Sequence, residues 1–286
     1  MINLCKISRK YIRPIFHESD FYGKLLRKEE YFVEFPEHAD KNTCTPVLVE
    51  RFSSEALTPT PRYFAVYWID FSKQVGNTVI DLLNYIRENL DSSLNFRQSC
   101  QVGLCGICSM NINGKNTLSC IAPLTPNTQM IIRPLTQYPV IHDLVVDLDK
   151  LYQNFHEIRP WLTSPKGKST QSEEDRKKLE KFLPCSLCGC CNASSPAYWW
   201  NKEKYYGPAV LMQAYRWIAD SRDQDKVNRV LDMIDNKQHL FETIQGMETC
   251  PIGLDPEAAV VEIKREVQEL EKRWDSWVEF GGKEFA

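Results

Sequence analysis

The sequence predicts an α+β fold made of two consecutive units, a strand-rich one followed by an all-α one. Three observations carry this. Residues 47–71 are dense in Val, Phe, Tyr, Trp and Ile around turn-forming prolines, which is a strand signature. From Pro208 onward, apolar residues recur at helical spacing. The length of 286 residues, against roughly 150 per domain, leaves room for two cores.

Taken in order, residues 1–17 carry Lys6, Arg9, Lys10 and Arg13 and no acid, with Ile2, Leu4, Ile7, Ile12 and Ile15 between them. Two readings stay open, an organellar targeting segment and a solvated basic arm. Residues 1–45 are expected to form an extension that makes a subunit contact. Residues 47–52 and 63–71 read as strands, joined by a loop around Pro59 and Pro61. Asn77 or Thr78 caps a helix whose apolar positions Val79, Leu82, Leu83, Ile86 and Leu90 line one face. A cysteine-bearing loop follows, then a short hairpin of 110–112 and 117–118 about Asn113-Gly114, a type I′ turn signal. A helical stretch is expected over 144–152, and the polar loop 163–174 marks a domain edge. Pro208 opens a helix over 209–220, and another runs through 227–234. Pro256 then starts a long helix with a stripe of Val260, Ile263, Val267, Leu270, Trp274 and Trp277, supported by Glu269 and Arg273. The stripe lasts under three heptads, so it is expected to face a core rather than form a coiled coil. The division is thus 1–45, 46–142 and 143–286.

Composition excludes several classes. The net charge of −3 gives no general electrostatic reason to bind nucleic acid or anionic lipid. With 43% hydrophobic and 26% charged residues the chain is an ordinary globular one, neither disordered nor membrane-spanning. Even its apolar piece over 208–219 is interrupted by Gln213 and Arg216.

Cysteine is the anomaly. There are 11, an odd number without a secretory signal, so ligation explains them better than a disulfide framework. Cys100, Cys105, Cys108 and Cys120 follow C-x4-C-x2-C-x11-C, the plant-type arrangement for a 2Fe-2S cluster. Gly103 and Gly106 allow the tight coiling such a loop needs. A zinc knuckle would prefer two paired hooks, which this series does not supply. Cys185, Cys188 and Cys191 form C-x2-C-x2-C, the first three positions of a bacterial-type 4Fe-4S run, and Cys250-Pro251 supplies a distant fourth thiolate. The fourth position of the local run is Ser195-Pro196. Cys190 reads as a packed thiol, and Cys5 and Cys44 lie outside both groups.

Longer motifs surround these cysteines. Arg97-Gln-Ser-Cys100, Cys105-Gly-Ile-Cys108, Met110-Asn-Ile-Asn-Gly114 and Asn116-Thr-Leu118 precede Tyr198-Trp-Trp-Asn201. Gly207-Pro-Ala-Val-Leu-Met-Gln-Ala-Tyr-Arg-Trp217 and Asp220-Ser-Arg-Asp223 follow. Over residues 47–270 the chain resembles the iron–sulfur subunit family of mitochondrial succinate dehydrogenase, respiratory complex II. The resemblance implies an N-terminal β-grasp 2Fe-2S ferredoxin-like domain followed by an all-α helical ferredoxin domain. It implies a non-flavin electron-transfer subunit of succinate:quinone oxidoreductase, with FAD on a flavoprotein partner. Membrane-anchor subunits, ubiquinone and the matrix side of the mitochondrial inner membrane complete the implied setting.

The sequence departs from that family at one centre. The positions that hold a 3Fe-4S cluster in the family are Ser195, Leu240 and Gly246 here, so no 3Fe-4S cluster is expected. Leu240, Phe241 and Met247 are expected to fill the space by packing, and Phe241 stands where the family has a quinone-site histidine. Pro196, Trp199 and Trp200 correspond to quinone-pocket residues, with plain packing of the Trp pair as the alternative. Two rival functions remain open, a paralogue that bridges complex II subunits without completing transfer to quinone, and a fumarate reductase subunit.

Overall fold

The computed structural model describes residues 44–52, 62–72, 75–163, 170–201, 203–235 and 250–279. The N-terminal extension up to residue 43, the Pro59–Pro61 loop and the Leu240, Phe241, Gly246 and Met247 positions lie outside the described residues. The chain divides into two compact units, the first ending at Asp147 and the second beginning at Leu148. The polar loop after Thr163 falls within the second unit.

The first unit contains β1 (Cys44–Phe52), β2 (Arg62–Asp70), α1 (Val79–Asn89), β3 (Ser109–Ile112), β4 (Lys115–Leu118) and β5 (Met130–Pro134). The five strands form one mixed sheet in the order β2-β1-β5-β3-β4. β1 pairs antiparallel with β2 and parallel with β5, Leu48 standing opposite both Val66 and Ile131. Leu48, Phe64, Val66 and Trp68 cluster on one face, while Val47, Val49, Ala65, Tyr67 and Ile69 on the other are also buried. Burial on both faces explains why these strands read as continuous apolar runs.

Thr78 caps α1, and Asp81 at its third position reaches back to the N–H groups of Asn77 and Thr78 at 3.0 Å each and to the Thr78 hydroxyl at 2.8 Å. This capping box answers donors that a helix start leaves open. The β3–β4 turn has φ of 50° at Asn113 and 85° at Gly114, the type I′ geometry that the Asn-Gly pair favours.

The expectation of a helix from Leu144 is corrected. Val145–Val146 is a strand, β7, pairing with β6 (Val140–His142), and the helix α2 spans Asp149–Glu157. Asp143, at the β6–β7 turn with φ 47°, is 2% exposed and anchors this hairpin, accepting from Arg51 Nε at 2.9 Å and from the N–H groups of Phe52 and Asn95.

The second unit continues with α3 (Glu173–Glu180), α4 (Cys190–Ala193), α5 (Pro196–Asn201), α6 (Pro208–Ile218), α7 (Lys226–Asp235) and α8 (Pro256–Glu279). α6 is its central rod. Pro208 through Tyr215 and Ile218 are all buried, and α2, α4, α7 and α8 pack around it. Ala259, Val260, Ile263 and Val267 of α8 are almost wholly buried. Each fully buried branched side chain stabilises by ~1.5–3 kcal/mol. The expected stripe does not stay in the core to its end, because Trp274 is 65% exposed. Arg265, rather than Arg273, pairs with Glu269, at 4.0 Å. Arg229 of α7 donates to the carbonyls of Ile158, Arg159 and Trp161 and to Asp223, pinning the segment after α2.

Candidate metal centres

The loop between Cys100 and Cys108 coils because its backbone repeatedly enters the left-handed region, with φ of 59° at Gln101, 77° at Gly103 and 71° at Gly106. This turns main-chain donors toward sulfur. Val102 N–H lies 3.5 Å and Cys105 N–H 3.3 Å from Cys100 Sγ, and Gly103 N–H lies 3.3 Å from Cys120 Sγ. The β3–β4 hairpin returns the chain so that Ser119 donates twice to the Cys108 carbonyl, through N–H and hydroxyl, both at 3.1 Å. The first turn of α1 is locked to the same segment, Val79 N–H to the Ala122 carbonyl and Ile80 N–H to that of Ser119. A reciprocal amide pair of Asn84 and Gln98 ties the loop start to α1.

These donors have an electrostatic consequence. The N–H of Val102, then that of Cys105, lower the Cys100 thiol to about 6, so it is a thiolate at neutral pH. Burial, with Cys108 beside it, pushes the Cys120 thiol up to about 12. An Fe³⁺-bearing group would draw off that proton, as metal coordination deprotonates thiols outright. Amides aimed at sulfur, a loop relieved by glycine, three thiols on that loop and a fourth just after the β3–β4 hairpin suit a 2Fe-2S cluster. Around this loop Val102, Leu104, Ile107 and Ile121 are exposed, as is Cys105.

In the second unit Leu187 and Gly189, with φ of 54° and 79°, wind the chain from Cys185 to the start of α4, which carries Cys190 and Cys191. Cys250 comes just before α8. Its thiol acts electrostatically on both Cys185 and Cys191, so the four predicted ligands share one neighbourhood. The Cys190 thiol donates to Cys188 and holds it down at about 7. Burial pushes Cys191 well above the ordinary thiol range and raises Cys185 as well, the latter opposed by the Leu187 N–H and the Gln213 amide. Among the described residues, no three His, Cys, Asp or Glu side chains close on a geometry for a single metal ion. Four soft thiolates in an otherwise apolar, helical setting suit an iron–sulfur cluster.

The position after this run behaves differently. Ser195 is 1% exposed and caps α5, its Oγ accepting from Tyr198 N–H at 3.4 Å, with Pro196 in the first helical position. Trp199 Nε1 donates to the Ala193 carbonyl at 2.7 Å, Pro196 is exposed and Trp200 is 61% exposed. Residues that side-chain patterns did not reveal also build these sites. Asn192 joins α4 to α6 by accepting from Ala209 N–H at 2.9 Å and donating to the Tyr206 carbonyl. The amides of Val102 and Gly103 carry no side-chain signal, and only the neighbouring glycines hinted at them.

Comparisons with known proteins agree with this geometry. A family profile described as "2Fe-2S iron-sulfur cluster binding domain" matches residues 47–153. The chain is 43% identical over 208 residues to the Arabidopsis thaliana protein "Succinate dehydrogenase [ubiquinone] iron-sulfur subunit 3, mitochondrial", covering 69% of this chain and 67% of that one. Its fold is like that of a chain in the solved "Mycobacterium smegmatis Sdh1 complex in the apo form", with a TM-score of 0.70 at 23% identity, over 80% of this chain and 98% of that one. An identity of this size, over two thirds of both chains, shows that the chain belongs to the family of succinate dehydrogenase iron–sulfur subunits.

Proposed function

We propose that the chain is the iron–sulfur electron-transfer subunit of a succinate dehydrogenase complex, working with two clusters. Cys100, Cys105, Cys108 and Cys120 hold a 2Fe-2S cluster; Cys185, Cys188, Cys191 and Cys250 hold a 4Fe-4S cluster. When bound, these groups supply one-electron redox chemistry. The chain's own residues supply thiolates and aim the amides of Val102, Gly103 and Cys105 at sulfur. The observation that carries the reading is the pair of four-cysteine sets, each on its own scaffold, in a member of this family.

The natural partners are a flavoprotein subunit bearing FAD and membrane-anchor subunits at the matrix face of the mitochondrial inner membrane. No helix among the described residues is long and apolar enough to cross a membrane. Ubiquinone would meet the chain near Pro196, Trp199 and Trp200.

Ser195 favours a second reading. Its oxygen serves a helix cap where the family offers a thiolate, and Leu240 and Gly246 have no ligating atoms. A subunit without a third cluster either needs a relay from a neighbour or bridges its partners without reducing quinone.

Iron and sulfide analysis with low-temperature EPR of the purified complex tests the proposal. Reduced protein is expected to show 2Fe-2S and 4Fe-4S signals, and oxidised protein no 3Fe-4S signal from this chain. Zinc without iron overturns the reading.

A further inference from the structure

Gln213 is a buried amide in the middle of α6 whose hydrogen bonding is incomplete. It is 2% exposed, and its Nε2 meets no acceptor at hydrogen-bonding distance. Native interiors seldom leave such a donor unsatisfied without a reason. Its other end is held. Arg216 Nη1 donates to Gln213 Oε1 at 3.3 Å, and the guanidinium is itself stacked 4.9 Å over the Trp217 ring. A guanidinium has donors only, so it can receive only the carbonyl end of the amide and leaves the NH2 end turned elsewhere. The Cys185 thiol lies within the influence of this amide, which works against the rise that burial causes there.

We propose that Gln213 Nε2 donates an N–H···S hydrogen bond to Cys185 of the 4Fe-4S site and raises that site's reduction potential, with Arg216 as the positioning residue that orients the amide. The inference rests on Cys185, Cys188, Cys191 and Cys250 being the ligands. The physical reason is charge. Reduction adds an electron to a centre whose sulfurs share it, so a fixed donor at sulfur stabilises the reduced state more than the oxidised one. The orphaned donor then has its acceptor, because a metal-bound thiolate accepts better than the thiol. Arg216 also places a positive charge near Cys185, with Arg176 and Arg222 close to it. That charge acts in the same direction, so the two effects must be separated.

EPR-monitored redox titration of the intact complex separates them, with the 2Fe-2S signal as internal reference. Gln213→Met keeps length and burial but removes the donor. It should shift the one-electron equilibrium of the 4Fe-4S centre about tenfold toward the oxidised state, ~59 mV, and leave the 2Fe-2S centre unmoved. Arg216→Lys keeps the charge but loses the planar fork. It should lower the potential when Gln213 is present and have no added effect in the Gln213→Met background, the mark of action through the amide. A 4Fe-4S potential unmoved in Gln213→Met overturns the inference. If that variant loses the 4Fe-4S signal, Arg216→Lys decides: a lowered potential supports the inference and an unchanged one overturns it. Absence of a 4Fe-4S signal in the unaltered complex would instead overturn the ligand assignment, and this inference with it.

Discussion

Arg51 uses all five of its N–H donors inside the first unit: Nε to Asp143, Nη1 to Tyr67 and Asp91, and Nη2 to the carbonyl and hydroxyl of Ser93. It thereby ties β1, β2, the end of α1 and the β6–β7 turn to one buried charge. Burial would raise the Asp91 carboxyl, but bonds from Ser93, Tyr67 and Arg51 outweigh it and hold it at about 2, below its ordinary 3.8. A depressed carboxylate contributes stability that is fully present above the unfolded value and is lost as pH falls through the folded one. Asp91→Asn should therefore cost about 2 kcal/mol near pH 7, read as a lower urea midpoint. Its gap from the unaltered protein should narrow as pH falls from about 4 toward 2. Ser195→Ala tests a different residue. As a helix cap, Ser195 should be worth about 1 kcal/mol in thermal or urea unfolding, with the iron content of the protein unchanged. Loss of iron in that variant would show that the serine is a ligand after all.

At the scale of elements, the second cysteine group depends on how α4 meets α6. Gly207 precedes α6 with φ 80° and ψ 161°, a conformation reserved for glycine, and a Cβ there would run into the Asn192 side chain. Asn192 follows Cys191 directly and bonds the first turn of α6. Gly207→Ala should cost at least about 2 kcal/mol, seen as a drop in Tm. It should also reduce 4Fe-4S occupancy by EPR while the 2Fe-2S signal persists. Equal loss of both signals would mean that the glycine acts on the whole fold rather than on α4.

For the whole molecule, the division after Asp147 puts the two proposed ligand sets in separate units, so each should load independently of the other. Cys250→Ala should abolish the 4Fe-4S signal and leave the reduced 2Fe-2S spectrum intact, because the remaining ligands lie on a separate core. Disappearance of both spectra in that variant would argue that the units fold as one.

Local patterns were legible wherever a residue's own chemistry decides the outcome. The cysteine spacings, the Asn113-Gly114 turn, the Thr78 cap and the Pro208 and Pro256 helix starts depend on backbone preference and ligand chemistry within a few residues. They can therefore be read in order along the chain. β5 could not be read this way. It is a five-residue run whose strand character comes from pairing in parallel with β1, some eighty residues earlier, and antiparallel with β3. The same holds for Val145–Val146, where the Asp143 anchor to Arg51 overrides the apparent helical start. Gln213 is one polar residue in an apolar motif until Arg216 turns its amide and burial removes the water that would have satisfied it. Sequence by itself determined which atoms are available for ligation and where local turns and helices begin. Only the tertiary structure decided strand order, the approach of Cys250 to Cys185 and Cys191, and which main-chain amides face sulfur. Those depend on distances between segments remote in the chain and on the exclusion of solvent, and neither quantity is encoded in a window of neighbouring residues.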